Sequence, residues 1–143
     1  MVTACNMALV LHGVIVLLLS QLAGYAFFRA INAGDEAAAR TGMWRMSHAA
    51  CSAGAVLLIA LGPVVPHLRL TSLPEALLVA TLIGATYALC LGTVVAAVSG
   101  HRGTRPRGPW SNLVVYILYL LGALGSTVSG VVLLYGAARA YLG

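Results

Sequence analysis

Four stretches of this chain, at about residues 6–29, 46–66, 76–99 and 111–138, run for some twenty residues or more with no charge in their interiors. A helix rises 1.5 Å per residue, so each stretch is long enough to cross the roughly 30 Å hydrocarbon layer of a bilayer. Core helices of a water-soluble protein would each carry a polar face, and these have none. Composition agrees: the chain is 61% hydrophobic and 8% charged, too little polar surface to keep 143 residues dispersed in water. The expected fold is an all-α integral membrane four-helix bundle. It forms a single transmembrane domain over 1–143, with helices at about 6–29, 44–66, 74–99 and 111–140.

The links between the runs carry the turn chemistry. "INAGDEAAARTG" holds Asp35, Glu36 and Arg40 and is short enough to make the first two helices antiparallel neighbours. Pro63 and Pro66 are expected to end the second helix. In "HLRLTSLPE", Thr71 or Ser72 reads as a helix cap, with Pro74 and Glu75 in the first turn. "HRGTRPRGP" is a loop by its glycines, prolines and arginines. In the fourth helix Gly122, Ser126 and Gly130 follow small-xxx-small spacing, beside Gly125 and Ser129; Ala50 and Gly54 give the second helix a shorter version. Such faces let helix backbones approach closely in lipid.

The net charge of +5 comes from eight arginines and no lysine. Six of them (Arg29, Arg40, Arg45, Arg102, Arg105 and Arg107) surround the first and third links, while Arg69 and Arg139 lie on the other side. That bias is topogenic and points away from nucleic acid. It puts loops 30–43 and 100–110 in the cytoplasm and both termini outside, as in a bacterial inner-membrane protein. No basic residue precedes Arg29, so the first run reads as a retained helix and not a cleaved signal. Cys5, Cys51 and Cys90 fall in separate segments without a CxxC or CxxCH pattern, which excludes covalent attachment of a c-type haem.

Carboxylates are scarce. Asp35, Glu36 and Glu75 all lie in links or at helix ends, which argues against carboxylate-pair chemistry within the membrane. GxSxG and HExxH are absent. Histidines remain. His67 and His101 are loop residues, whereas His12 and His48 lie within apolar runs, where an ionisable group is costly and marks function by default. Around His48, Ser52 follows one turn on, and Ala49, Ala50, Ala53 and Gly54 clear space for a flat group. Arg45, one turn toward the surface, suits a negative substituent. Haem b fits this outline: an imidazole on iron, small residues under the porphyrin and arginines at the propionates.

"HG" at His12–Gly13 with Gly24 after it, "WRMSH" at Trp44–His48, and "HRG" at 101–103 with "GP" at 108–109 and glycines at 125, 130 and 136 occur in an order and spacing that resembles the styrene oxide isomerase family. The resemblance implies a small four-helix membrane enzyme, a homo-trimer with haem b near its subunit interfaces and His48 as the axial, metal-binding ligand. Its implied reaction converts a small hydrophobic epoxide to a carbonyl compound. Ferric iron acts as a Lewis acid on the epoxide oxygen, the C–O bond opens, and a 1,2-hydride shift follows. Cofactor-side candidates are His48, Arg45, Gly54, Arg102 and His12; substrate-side candidates are Tyr87, Thr93 and Ser52. Gly54 stands where the family has an asparagine, and Ala85 and Val94 stand where it has an aspartate and a tyrosine. Two rival readings predict different observables. A non-catalytic assembly subunit would bind no haem, and an electron-transfer cytochrome with His12 and His48 as paired ligands would have no open iron site.

Overall fold

The structure is a computed structural model that describes the backbone of residues 4–33 and 38–143. It contains four long helices: α1 (Ala4–Asn32), α2 (Ala38–Val64), α3 (Ser72–Ser99) and α4 (Trp110–Leu142), with one 3-10 turn at Val65–Leu68. All four are long and apolar enough to span a bilayer. The chain is an integral membrane protein of the all-α class. Asp35 and Glu36 lie outside the described residues.

The packing is pairwise. α1 lies mainly against α2 and α4 mainly against α3, with α2 and α3 joining the two hairpins in the middle. α3 is the most buried helix and α4 the least. Leu9 and Val16 of α1, Leu58 of α2 and Leu78 and Leu82 of α3 form the centre of the core. Water does not drive this closure in lipid; close backbone approach and interhelical hydrogen bonds do. Gly13 accordingly faces Ile59 and the Ala55 carbonyl, and Gly62 faces Val10 and the Asn6 carbonyl. Across α3 and α4, Gly122 packs on Leu89 and Gly125 on Ala85, while Ser129 Oγ lies 2.8 Å from Thr81 Oγ1. Ser126 and Gly130 belong to the same small-residue pattern but stand exposed. α2 and α4 diverge over α3 and leave a groove between them.

Two details differ from the sequence expectation. α2 begins at Ala38 instead of Trp44, so "WRMSH" sits inside the helix and not at its entrance. The alanines and Arg40 are strong helix formers and extend it. Pro63 does not stop α2; it occupies the penultimate position, where its missing N–H removes only one late hydrogen bond. The chain turns after Pro66, at Arg69, which adopts a left-handed conformation with φ 52°. Thr71 does cap α3 by position, with its carbonyl accepting from the Glu75 N–H at 3.1 Å, although its side chain makes no capping bond. In the third link Asn112 Oδ1 accepts from the Gly103 N–H, and its amide donates to the Arg105 and Arg107 carbonyls. Gly103 is required there: its φ is +63°, and a Cβ would strike Val115 at 2.5 Å.

Candidate active site: a histidine seat and a separate groove

His48 faces α1, not the groove. Its ring lies over Gly24, where a Cβ would come within 3.0 Å of Nδ1 and 3.1 Å of Cε1. Nδ1 is 2.9 Å from the Ser20 carbonyl and 3.1 Å from Ser20 Oγ. A carbonyl only accepts, so Nδ1 carries the proton and Nε2 keeps its lone pair. Ser20 Oγ donates to the His48 carbonyl at 3.2 Å and sits 2.6 Å from Ser52 Oγ. Because the Ser20 hydroxyl has one proton, Ser52 is the donor in that last pair. Ser20 is fully buried and Ser52 half-buried, so this network fixes the ring plane in a low-dielectric seam. No hydrogen bond to Nε2 is present among the described residues. Exposed Arg45 and Ala49 flank the histidine toward the lipid side.

The other candidates are dispersed. His12 Nδ1 is 3.1 Å from the Tyr87 hydroxyl, with the rings edge to face at 5.6 Å, so this pair ties α1 to α3. Thr93 Oγ1 donates to the Cys90 carbonyl at 2.9 Å, with Ser47 Oγ 3.4 Å away, in the buried α2–α3 contact beside Cys51 and Cys90. Gly54 faces Thr86, where a Cβ would meet Cγ2 at 2.7 Å. The groove between α2 and α4 holds a cavity of about 700 Å³ bordered by Met43, Met46, Thr93, Ala96, Arg102 and Tyr119. A second cavity of about 460 Å³ continues along it past Ala53, Gly54, Ala85 and Ser126. His48 borders neither. On α2, Gly42, Met46 and Ala50 point into the groove at helical spacing, and His48 lies on the opposite side of the same helix. Of the sequence candidates, the structure thus joins His48 with Ser52, and Arg102 with Thr93, but not one pair with the other.

A model of the styrene oxide isomerase family matches residues 5–138. The chain belongs to the styrene oxide isomerase family. An isomerase is what the family's name implies, and the four spanning helices make this one an integral membrane protein. None of the curated proteins matches the chain. Ala85 and Val94, which the resemblance aligns with polar residues, are respectively buried and half-buried in α3, and of the two Ala85 borders the groove.

The family resemblance raised haem b, and the residues present fit such a group. His48 offers one nitrogen whose partner nitrogen is already committed to a carbonyl, the arrangement that orients a metal-bound imidazole. Among the described residues no three His, Cys, Asp or Glu side chains gather to hold a bare ion. A single imidazole therefore suits a metal that arrives with a ring of its own donors. Two structural features of these regions escaped the sequence. Ser20 shares the helix face of Gly24, a spacing that could have flagged it as the partner of an intramembrane histidine. Tyr119 sits deep within its apolar run instead of at an interface, where tyrosines usually lie, and that position was the available signal.

Proposed function

We propose that the protein is a haem b isomerase that converts a small hydrophobic epoxide to a carbonyl compound, with His48 as the residue that would hold the iron. The observation that carries the reading is the His48 seat, with Nδ1–H donated to the Ser20 carbonyl, Gly24 beneath the ring and Nε2 left for a metal. When bound, ferric haem supplies Lewis acidity for opening an epoxide C–O bond, with no electron or cosubstrate consumed. The chain's own residues orient and exclude. Ser20 and Ser52 hold the imidazole in one tautomer and one plane. Arg45, exposed one turn from His48, would pair with a propionate at the membrane surface. Ala49, small and exposed beside His48, would leave room for a porphyrin face, which a second copy of the chain would cover in a homo-trimer; Ala50, Ala53 and Gly54, expected to clear that space, line the groove on the other side of α2 instead. The apolar helices admit an apolar substrate from the bilayer and keep water away. The orientation with loops 30–43 and 100–110 in the cytoplasm, in a bacterial inner membrane, belongs to this reading and rests on the arginine bias.

In this scheme Ser52 is a positioning residue, and Tyr87 and Thr93 are engaged by His12 and by the Cys90 carbonyl. The test is the visible spectrum of the purified chain beside His48→Ala. A Soret band in the parent that vanishes in the variant, together with aldehyde formation from an aryl epoxide, is the expected result. A parent without haem after haem-supplemented expression would sink the proposal and leave the assembly subunit.

A further inference from the structure

α1 packs on α2 and α3 along one side and is bare along the other. Val16, Ser20 and Ala23 are buried in the first side. From Met7 to Leu22 every exposed side chain of α1 is apolar except one, Gln21. Gln21 lies three residues from the middle of a 29-residue helix, or about 4.5 Å along its axis. About 10 Å of hydrocarbon then separates it from the nearer headgroups, farther than a glutamine side chain reaches. A primary amide has two donor hydrogens and an acceptor oxygen, and acyl chains match none of them. No hydrogen bond of this amide is present among the described residues, and the neighbouring Ser20 hydroxyl is committed to His48 and Ser52.

The amide is also in register with the residues around it. Leu11, Val14, Leu18, Gln21, Tyr25 and Phe28 follow one another at alternating steps of three and four, and all six are exposed. That is the 3.5-residue period of helices that wind around one another. A single polar residue in such an apolar stripe fixes which depth of one helix meets which depth of the next. Whatever covers the stripe must bring a donor and an acceptor to the level of Gln21. A second copy of the chain does so by construction. Copies insert the same way up, so a parallel contact sets amide beside amide, each N–H donating to the other's oxygen. The exposed stripe of α4 at Ser126 and Gly130 makes no comparable demand, because a serine hydroxyl can turn back to a carbonyl of its own helix.

We infer that copies of the chain associate in parallel through the outward stripe of α1, with their Gln21 amides hydrogen-bonded to one another within the contact. The inference goes beyond the haem reading and uses neither iron nor substrate. To the homo-trimer proposed above it adds which helices meet and which residue sets their register.

The experiment measures energy transfer in phospholipid vesicles between full-length copies that carry a donor or an acceptor fluorescent protein after Gly143, over a series of protein-to-lipid ratios. Gln21→Leu removes the amide and keeps apolar bulk, Gln21→Asn keeps an amide, and Gly130→Leu fills the α4 stripe where nothing lies within 4 Å. Gln21 is exposed, so its replacement leaves the core of each copy untouched. Gln21→Leu is expected to weaken association about five- to tenfold, as loss of an interhelical hydrogen bond does. Gln21→Asn should restore most of it, and Gly130→Leu should match the parent. A parent that stays monomeric at every ratio would overturn the inference, and so would Gln21→Leu associating as tightly as the parent. Weakening by Gly130→Leu alone would overturn it by moving the contact to α4. Cross-linking in membranes with copper phenanthroline tests the register in a Cys5→Ser chain. Leu18→Cys on the stripe is expected to link to its own copy, and Val131→Cys, exposed on α4, is not; the reverse pattern would sink the α1 contact. Neither readout involves haem or activity, so failure of the isomerase reading would leave both standing.

Discussion

On one side of α2, Ala55, Ile59 and Gly62 close against α1 through Gly13 and Val10; on the other, Ala50 and Ala53 stand along an open groove. Small residues do both jobs. Where the facing helix also carries glycine or serine at the crossing, backbones meet and the histidine network closes on itself. Where α3 holds α4 away from α2, the same small side chains leave volume. Around His48 the seam is polar and paired, with Ser20, His48 and Ser52 bonded to one another, whereas Asn6 Oδ1 near the start of α1 is buried without a partner among the described residues. The groove is apolar and leaves Tyr119 unpaired. Helix spacing alone therefore does not say whether a small residue closes a contact or opens a cavity; the neighbour decides.

The sharpest way to break this contrast is to fill each side in turn. Gly24→Leu puts bulk where a Cβ is already 3.0 Å from the His48 ring, so nearly all haem should be lost in a pyridine haemochrome assay. Ala50→Leu borders only the groove and should keep most of it. Equal losses in both variants would erase the distinction. Gly92→Ala comes next, because its methyl would meet Tyr119 at 2.9 Å and Leu118 at 3.3 Å. Overpacking of that kind costs about 1–3 kcal/mol, to be read from unfolding in detergent. Gly130→Ala, with nothing within 4 Å, is the control and should shift stability by less than about 0.5 kcal/mol.

A smaller effect is expected at Ser20→Ala. It removes the hydroxyl contacts to Nδ1, the His48 carbonyl and Ser52 but leaves the carbonyl bond to Nδ1, for about 1 kcal/mol of stability. The Soret band should persist with a shifted maximum. Smaller still, Tyr87→Phe breaks one bond to His12, worth about 0.6 kcal/mol between membrane helices, and haem content should not change. An isomerase assay in which Tyr87→Phe loses all activity would move the reacting site from the seam to the α1–α3 contact.

Much of the fold was written in plain view, because charge-free runs of this length have one use. The existence of α1 to α4 follows from them; the link chemistry narrowed the cap of α3 to Thr71 or Ser72, and the structure uses Thr71. Helix partners were less legible. A chain apolar on all sides has no polar face to exclude, so nothing in the spacing of Gly122, Ser126 and Gly130 told that the first packs on α3 while the other two stand exposed. The seat was half legible: His48, Ser52 and Gly24 each stood out, but the Ser20 carbonyl that fixes the ring is backbone and has no sequence signature. Arg102 and His48 looked like one constellation because both flank the same side of the membrane. The turn of α2 sends them to opposite faces.

The hairpin pairing of the helices also sets an order of assembly. When α2 has left the ribosome and entered the membrane beside α1, every atom of the His48 network is already synthesised, since Ser20, Gly24, His48 and Ser52 all precede Arg69. The groove does not exist until Tyr119 and the rest of α4 arrive. Biogenesis therefore completes the histidine seat first and the cavity last. A chain interrupted after the second helix would carry the former with no trace of the latter.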